Sequence, residues 1–178
     1  MITTRRHMLQ AGGGFLAAFG LLRLPALASD LVDIRMHGNA DGAHVWFDPI
    51  GLRIQPGQTV RWTNGDAGNS HTATAYHPSL FDRPRRIPTK ARPWDSDYLL
   101  PNETFSVTLT VPGIYDFYCI PHEHAGMVGR IVVGDPAEND WYLAMPQNPE
   151  SEGALPQIAL DNFPAVDEIM KKGIVRRA

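Results

Sequence analysis

The stretch from Gly113 to Val133 reads GIYDFYCIPHEHAGMVGRIVV. Side chains of a strand alternate between its two faces, so Tyr115, Phe117 and Cys119 lie on the same face. The two aromatic rings are large enough to anchor a core on that face. The pattern therefore predicts a core strand that ends in an inward-pointing cysteine, where the chain enters a loop.

The same kind of strand recurs on both sides of this stretch. Short runs rich in β-branched and aromatic residues alternate with turn signals such as Pro56-Gly57 and Pro112-Gly113. Eight short strands in about a hundred residues are typical of an all-β sandwich or barrel. The predicted strands lie near residues 31–37, 43–47, 52–54, 59–64, 72–76, 104–109, 114–119 and 128–133.

Composition excludes several classes of protein. The chain has 178 residues and a single Cys, which excludes an intramolecular disulfide and any site built from several thiolates of one chain. Its 16 Lys and Arg residues are nearly balanced by 19 Asp and Glu residues. A nucleic-acid-binding protein would carry a basic excess, so we expect no nucleic-acid partner.

Residues 1–28 have the pattern of an export signal. The adjacent Arg5 and Arg6 precede a short apolar run, and Ala26-Leu27-Ala28 is a small-x-small cleavage sequence. The paired arginines after Thr4 indicate a twin-arginine signal, hence a periplasmic protein with no membrane span after cleavage. An ordinary secretory signal and an uncleaved membrane anchor are the alternatives. Cleavage would leave 13 basic against 19 acidic residues, a net charge of −6.

Two further segments depart from the strand pattern. Residues 77–103 are rich in Pro and Arg, and we expect a long basic surface loop there. After a domain at residues 29–136, residues 137–178 form a C-terminal extension. A short helix is possible at 138–145, and an amphipathic helix is predicted at 165–175. Its apolar face either packs on the sandwich or binds a partner or a membrane surface; the residues on that face are Phe163, Val166, Ile169, Met170 and Ile174.

Four residues form the candidate functional site: His71, Cys119, His122 and Met127. Three of them share one short segment with the spacing Cys-x-x-His-x-x-x-x-Met, and His71 lies at the end of another predicted strand, next to residue 72. Two imidazoles, a thiolate and a weak thioether suit copper in a redox role, because the sulfur ligands stabilise Cu(I) and imidazole serves both oxidation states. A bound metal would also protect a lone thiol in an oxidising compartment.

These motifs resemble those of the cupredoxins, the type 1 (blue) copper proteins, and most of all the plastocyanin and pseudoazurin branch. The resemblance covers about residues 31–135. It rests on the segments FDP at 47–49, IQPGQTVRWTN at 54–64, NSHT at 69–72, GIYDFYCIPH at 113–122 and GMVGRIVV at 126–133.

The resemblance implies a Greek-key β-sandwich that holds one copper ion near one end. His71 and His122 would be the equatorial nitrogen ligands, Cys119 the thiolate and Met127 the axial ligand. Asn64 and Ser70 are candidates for the residues that tie the ligand loops together around the site.

Other interpretations of the site stay open. His124 could replace His122 or form a second site, or it could be a solvent-exposed residue that affects the pH response. Zinc accepts Cys and His donors but seldom a thioether. A copper-free sandwich would make the quartet a coincidence. His37, His44 and His77 fit no ligand spacing.

Three functions use such a site: one-electron transfer, copper buffering or delivery, and catalysis. Catalysis by multicopper enzymes needs a His directly beside the ligand Cys, but Tyr118 and Ile120 flank Cys119. We therefore expect a monomeric electron carrier and not an enzyme, with copper handling as the alternative. The electron would leave through His122 to a redox partner such as a cytochrome or a copper enzyme. The arginines of residues 83–92 could steer an acidic partner or could simply form a solvated face.

Overall fold

The computed structural model describes residues 31–39, 42–135 and 155–177. Nine strands in these residues form two sheets, and a 3₁₀ turn (Ile120–Ala125) and two short helices accompany them. The helices are α1 (Gln157–Asn162) and α2 (Val166–Lys172). The strands are β1 (Leu31–Gly38), β2 (Val45–Asp48), β3 (Gly51–Ile54), β4 (Thr59–Asn64), β5 (Thr74–Ala75), β6 (Thr104–Thr108), β7 (Gly113–Tyr118), β8 (Val128–Val133) and β9 (Ile174–Val175).

The two sheets have the strand orders β2-β1-β4-β6 and β5-β7-β8-β3-β9. β1 runs parallel to β4 and β3 runs parallel to β8, whereas β7 and β8 are antiparallel neighbours. The prediction of an all-β sandwich is confirmed. Each of the eight predicted strands is present within two residues of its expected bounds.

Aromatic rings fill the space between the sheets. Trp62 of β4 and Phe117 of β7 meet edge to face with 5.3 Å between ring centroids, and Phe47 of β2 meets Phe117 at 4.8 Å. Such edge-to-face pairs are favourable beyond the area they bury. Tyr115 and Cys119 belong to the same buried cluster, so the predicted inward face of β7 is confirmed.

The opposite face of β7 is buried as well, because the C-terminal segment covers it. Asp116 is fully buried there and accepts hydrogen bonds from Arg86 and Arg130 at 2.6–3.0 Å. Both guanidinium groups lie over the ring of Phe163 at 5.0 Å. Two cations around one buried carboxylate thus join the 77–103 segment, β8 and the C-terminal segment, and no buried charge is left without a partner in this cluster.

The C-terminal helix is shorter than predicted. α2 ends at Lys172, and the next residue, Gly173, has a positive φ of 75° that glycine adopts without strain. Ile174 and Val175 then pair with Leu52 and Gly51 of β3. A strand pairing that satisfies the edge of the sheet has replaced the last helical turn.

The apolar face of this segment packs on the sandwich, as one of the two alternatives expected. Ile169 is fully buried against Ile50 and Val132. Sequence analysis missed α1, because six residues are too short to reveal a helical period. The possible helix at 138–145 and the export signal at 1–28 lie outside the described residues. No helix in the described ranges is long and apolar enough to cross a membrane.

The predicted surface loop at 77–103 lies only partly on the surface. It contributes buried apolar side chains to the core, at Ile87, Ala91, Trp94 and Leu99. Two of its arginines are held by buried carboxylates: Arg86 binds Asp116, and Arg83 binds Glu123. The steering interpretation is therefore wrong for these two, since their charges are already paired inside the protein.

Candidate metal centre

The four candidate ligands lie at one end of the sandwich, where three chain segments meet. Cys119 follows β7, His122 lies in the 3₁₀ turn, and Met127 directly precedes β8. His71 precedes β5, and its backbone pairs with Leu99 in both directions, at 3.2 and 2.8 Å. Core strands and a backbone pairing thus hold every segment that carries a candidate ligand.

Backbone hydrogen bonds also close the ligand loop on itself. The Cys119 N–H donates to the Met127 carbonyl at 3.0 Å, and the Met127 N–H donates to the His122 carbonyl at 3.1 Å. Gly126 ends the 3₁₀ turn at a φ of 75°, a conformation that glycine adopts without strain. The spacing from Cys to His to Met is therefore the spacing of one compact turn.

The structure brings three donor atoms together. The Nδ1 atoms of His71 and His122 lie 3.2 Å apart, and they lie 3.6 and 3.4 Å from Cys119 Sγ. His71 and Cys119 are fully buried, whereas His122 is half-buried. Met127 is fully buried in the same core cluster as Cys119. The turn places His122 in this group and leaves His124 exposed.

Hydrogen bonds from Thr72 and Asn64 hold the thiol and the segments around His71. The Thr72 N–H donates to Cys119 Sγ at 3.3 Å. The role predicted for Ser70, a contact between the ligand loops, thus belongs to Thr72. The Thr72 hydroxyl also accepts the Ile120 N–H at 2.9 Å, which joins the two ligand segments. Asn64 donates to the carbonyls of Asn69 and Leu99 at 2.8 Å each. Asn64 therefore ties together the flanks of His71 and not, as expected, the two ligand loops.

Two carboxylates close to the site escaped the sequence analysis. Asp66 Oδ2 lies 3.0 Å from His71 Nε2, and Glu123, in the ligand turn itself, accepts a hydrogen bond from the Tyr76 hydroxyl at 2.9 Å. Glu123 also pairs with Arg83 and is buried. Asp66 stands in a Gly-rich stretch that the sequence marks only as a turn. The one available signal for Glu123 was its place between two histidines.

Burial sets the protonation of the metal-free site. Burial raises the pKa of the Cys119 thiol to about 12, although the Thr72 N–H partly opposes this effect. Burial also lowers the pKa of both imidazoles; Asp66 partly offsets it for His71, and the neighbouring His71 adds to it for His122. At neutral pH the metal-free site thus holds a neutral thiol and two neutral imidazole rings. A metal ion that binds there must displace the thiol proton.

The donor set fits copper. One thiol and two imidazole nitrogens converge on one point, and the buried thioether of Met127 directly precedes the next strand. Soft sulfur and imidazole donors suit a copper site, whereas structural zinc sites usually recruit four Cys and His ligands. In the described residues, His71, Cys119 and His122 are the cluster of Cys, His and acidic side chains that could hold a metal ion.

Comparison with known proteins agrees with this geometry. A family model described as copper-binding proteins of the plastocyanin/azurin family matches residues 34–134, more than half of the chain. The chain belongs to this copper-binding family. The resemblance to the cupredoxins is thereby confirmed, and copper is the metal that the family binds.

Individual cupredoxin relatives match to different extents. Barley (Hordeum vulgare) plastocyanin is 38% identical over 97 residues, which are 53% of this chain and 58% of that protein. The chain thus spans little more than half the length of this relative. Plastocyanin of Tetradesmus obliquus is 32% identical over 132 residues, which are 72% of this chain and 81% of that protein.

Solved cupredoxin structures extend the likeness beyond the matched family region. A pseudoazurin from Sinorhizobium meliloti is 27% identical with a TM-score of 0.50, over 79% of this chain and 98% of that chain. For a pseudoazurin from Methylobacterium extorquens AM1 the values are 24% and 0.53, over 74% and 94%. The second likeness concerns the fold alone. The sandwich with its small C-terminal helices is therefore a cupredoxin fold.

Proposed function

We propose that this cupredoxin is a type 1 copper protein that carries single electrons between redox partners. The observation that carries the proposal is a buried thiol that meets two imidazole nitrogens, all within 4.8 Å, with one ring reaching the surface. The whole arrangement suits a site that keeps its metal and exchanges electrons at one point.

The proposed ligands are Nδ1 of His71 and of His122, Sγ of Cys119 and, as the axial ligand, Met127. Bound copper would supply a one-electron Cu(II)/Cu(I) couple. The protein holds the donors in place: Thr72 fixes the thiol, and the backbone bonds among Cys119, His122 and Met127 close the turn. Preorganised donors cost little to reorganise when the charge of the site changes.

The electron would enter and leave through His122. His71, Cys119 and Met127 are fully buried, so His122 is the proposed ligand that reaches the surface. Pro121 is exposed beside it. Gly126 and Val128, which follow His122 in the chain, are buried, and Ile158 of α1 lies against Gly126. The C-terminal segment thus contributes to the rim of the docking face.

We infer that the partners are redox proteins, such as a cytochrome or a copper enzyme. Transient redox encounters need only a small contact area. With Arg83 and Arg86 paired internally, steering of an acidic partner falls to Arg85, Lys90 and Arg92. We infer a monomer that has no substrate-turnover site, since Tyr118 and Ile120, and not His, flank Cys119.

Copper buffering or delivery is the alternative function. A copper donor needs ligands that an acceptor can reach, whereas three of the four proposed ligands here are fully buried. The burial of the site supports retention of the metal and hence electron transfer.

The test adds Cu(II) to the purified metal-free protein and records the visible spectrum, with Cys119→Ser as the control. We expect an intense thiolate-to-copper band that is absent in the variant, a reversible one-electron wave in voltammetry, and slow loss of copper to a chelator. A colourless protein that binds copper and gives it up rapidly would instead support copper handling.

We further propose that the protein reaches the periplasm by the twin-arginine route, which the adjacent Arg5 and Arg6 support. Replacing both with Lys should abolish export, measured by cell fractionation, and the exported wild-type protein should begin at Ser29. Undiminished export of the double Lys variant would indicate an ordinary secretory signal. A protein that stays in the membrane with its first 28 residues attached would indicate an anchor.

A further inference from the structure

Asp66 is a carboxylate held rigidly against the back of one proposed ligand. It is 5% exposed. Its Oδ1 accepts the Gly68 N–H at 2.8 Å, and its Oδ2 accepts Asn69 Nδ2 at 2.8 Å and lies 3.0 Å from His71 Nε2. Its own N–H donates to Asn64 Oδ1 at 2.9 Å. These hydrogen bonds hold the carboxylate in one orientation, with Oδ2 directed at His71.

The last residue of β1 makes room for this carboxylate. A Cβ built on Gly38 would lie 1.9 Å from Asp66 Oδ2 and 2.7 Å from its carboxyl carbon. Any side chain at this position would push the carboxylate away from His71, so the close approach requires glycine. The end of β1 and the loop before His71 thus meet at this contact.

We propose that Asp66 is a positioning residue for His71, which keeps the ring proton on Nε2, leaves Nδ1 free for copper, and lowers the reduction potential of the site by its negative charge. This inference rests on the proposed copper ligands. Nothing in the sequence motifs or in the family match assigns a role to Asp66.

The tautomer follows from hydrogen-bond chemistry. A neutral imidazole carries one N–H, and a carboxylate can only accept a hydrogen bond, so the proton belongs on the nitrogen that faces Asp66. His71 Nδ1 is then an acceptor, and it is the nitrogen that faces Cys119 Sγ and His122 Nδ1. Carboxylate partners of this kind orient metal-binding histidines and make them more basic.

The effect on the potential follows from charge. Reduction of Cu(II) to Cu(I) takes one electron from the partner and removes one positive charge from the site. A nearby negative charge stabilises the more positive state, so it makes reduction harder. The hydrogen-bonding partners of Asp66 are an amide side chain, a backbone N–H and a neutral imidazole. None of them is a cation that would cancel its charge.

The first measurement uses the metal-free protein. Nitrogen-15 NMR of the His71 ring reports which nitrogen carries the proton. We expect the Nε2–H tautomer in the wild type and a larger Nδ1–H population in Asp66→Asn. A wild-type protein whose His71 carries its proton on Nδ1 would overturn the proposal even if no variant folds.

The second measurement is the equilibrium of the copper-loaded protein with a small one-electron mediator. We expect Asp66→Asn to favour the reduced protein by about tenfold, which corresponds to about 59 mV. The matched control is Asp33→Asn, which also removes one charge. Asp33 is half-exposed and is paired with Arg61. Along β1 it lies three residues, roughly 10 Å, from Met36, which pairs with Asn64 beside the loop that carries Asp66. Equal shifts in the two variants would overturn the proposal.

The two failures are distinguishable. If the wild-type protein gives no thiolate-to-copper band, the proposed function fails, while the NMR result on the metal-free protein still stands or falls by itself. If the band is present and Asp66→Asn changes neither the tautomer nor the potential relative to Asp33→Asn, only the role of Asp66 fails.

Discussion

Phe117 and Gly129 face each other across β7 and β8, and the absence of a side chain at Gly129 makes room for the ring. A Cβ on Gly129 would lie 2.3 Å from Phe117 Cζ. Phe117 cannot retreat, because Trp62 and Phe47 pack on its other sides. This single contact connects the packing of the core with the strand that leads directly to Cys119.

At the residue scale, we therefore expect Gly129→Ala to destabilise the protein. Overpacking of a filled core costs about 1–3 kcal/mol. Urea unfolding of the metal-free protein measures the effect. The matched control is Gly68→Ala, whose added Cβ would meet its nearest neighbour, Asp66 Oδ1, at an ordinary 3.5 Å. Equal midpoints for the two variants would contradict the expected clash.

At the scale of elements, the ligand turn at Ile120–Ala125 is held from outside as well as from within. Glu123 joins it to Tyr76, which follows β5, and to Arg83 of the 77–103 segment. The guanidinium of Arg83 also lies 5.5 Å from the centre of the Tyr118 ring. Asn162 and Ile158 of α1 lie against Gly126 at the end of the turn. Segments far apart in sequence thus keep the turn in one conformation.

We expect Arg83→Ala to destabilise the protein by about 3 kcal/mol, because it leaves the buried Glu123 charge without a cation. Lys90→Ala, an exposed cation of the same segment, is the control and should have little effect. Adding Glu123→Gln to Arg83→Ala should recover part of the loss, since a neutral amide needs no cation and can still accept the Tyr76 hydroxyl. Strictly additive losses in this double-mutant cycle would contradict a coupled pair.

At the scale of the whole molecule, the sandwich buries aromatic hydroxyls that ionise only at a cost. Burial raises the pKa of Tyr115 to about 12, and burial also raises the pKa of Tyr76 and Tyr118. An unfolded tyrosine ionises near pH 10. Between pH 10 and 12 the unfolded chain therefore loses protons that the native protein keeps, and the free energy of unfolding falls as the pH rises.

We expect Tyr115→Phe to weaken this pH dependence. Relative to pH 9, the wild type should lose about 1 kcal/mol more stability than the variant by pH 11, because only the wild type gains an ionisable hydroxyl at this position on unfolding. Urea unfolding of both proteins at pH 9, 10 and 11 measures the difference. Parallel pH curves would show that the Tyr115 hydroxyl ionises as readily in the native protein as in the unfolded chain.

The sequence by itself determined the parts of this protein that depend on neighbouring residues. The alternation in β7 put Tyr115, Phe117 and Cys119 on the core face, because a strand has a period of two. The spacing of Cys119, His122 and Met127 identified the ligand turn, because one tight turn sets all three positions. The remaining strands followed from turn residues between short β-branched runs.

Only the tertiary structure decided which charges are paired inside the protein. The sequence pattern does not distinguish the arginines of residues 77–103 from one another, yet in the structure Arg83 and Arg86 bind buried carboxylates. The pairing of Asp66 with His71 depends on the room that Gly38 leaves at the end of a different strand. The pairing of Ile174 and Val175 with the edge of β3 is a further contact of this kind. Such contacts join residues far apart in the chain or in its fold, and no local period or spacing encodes them.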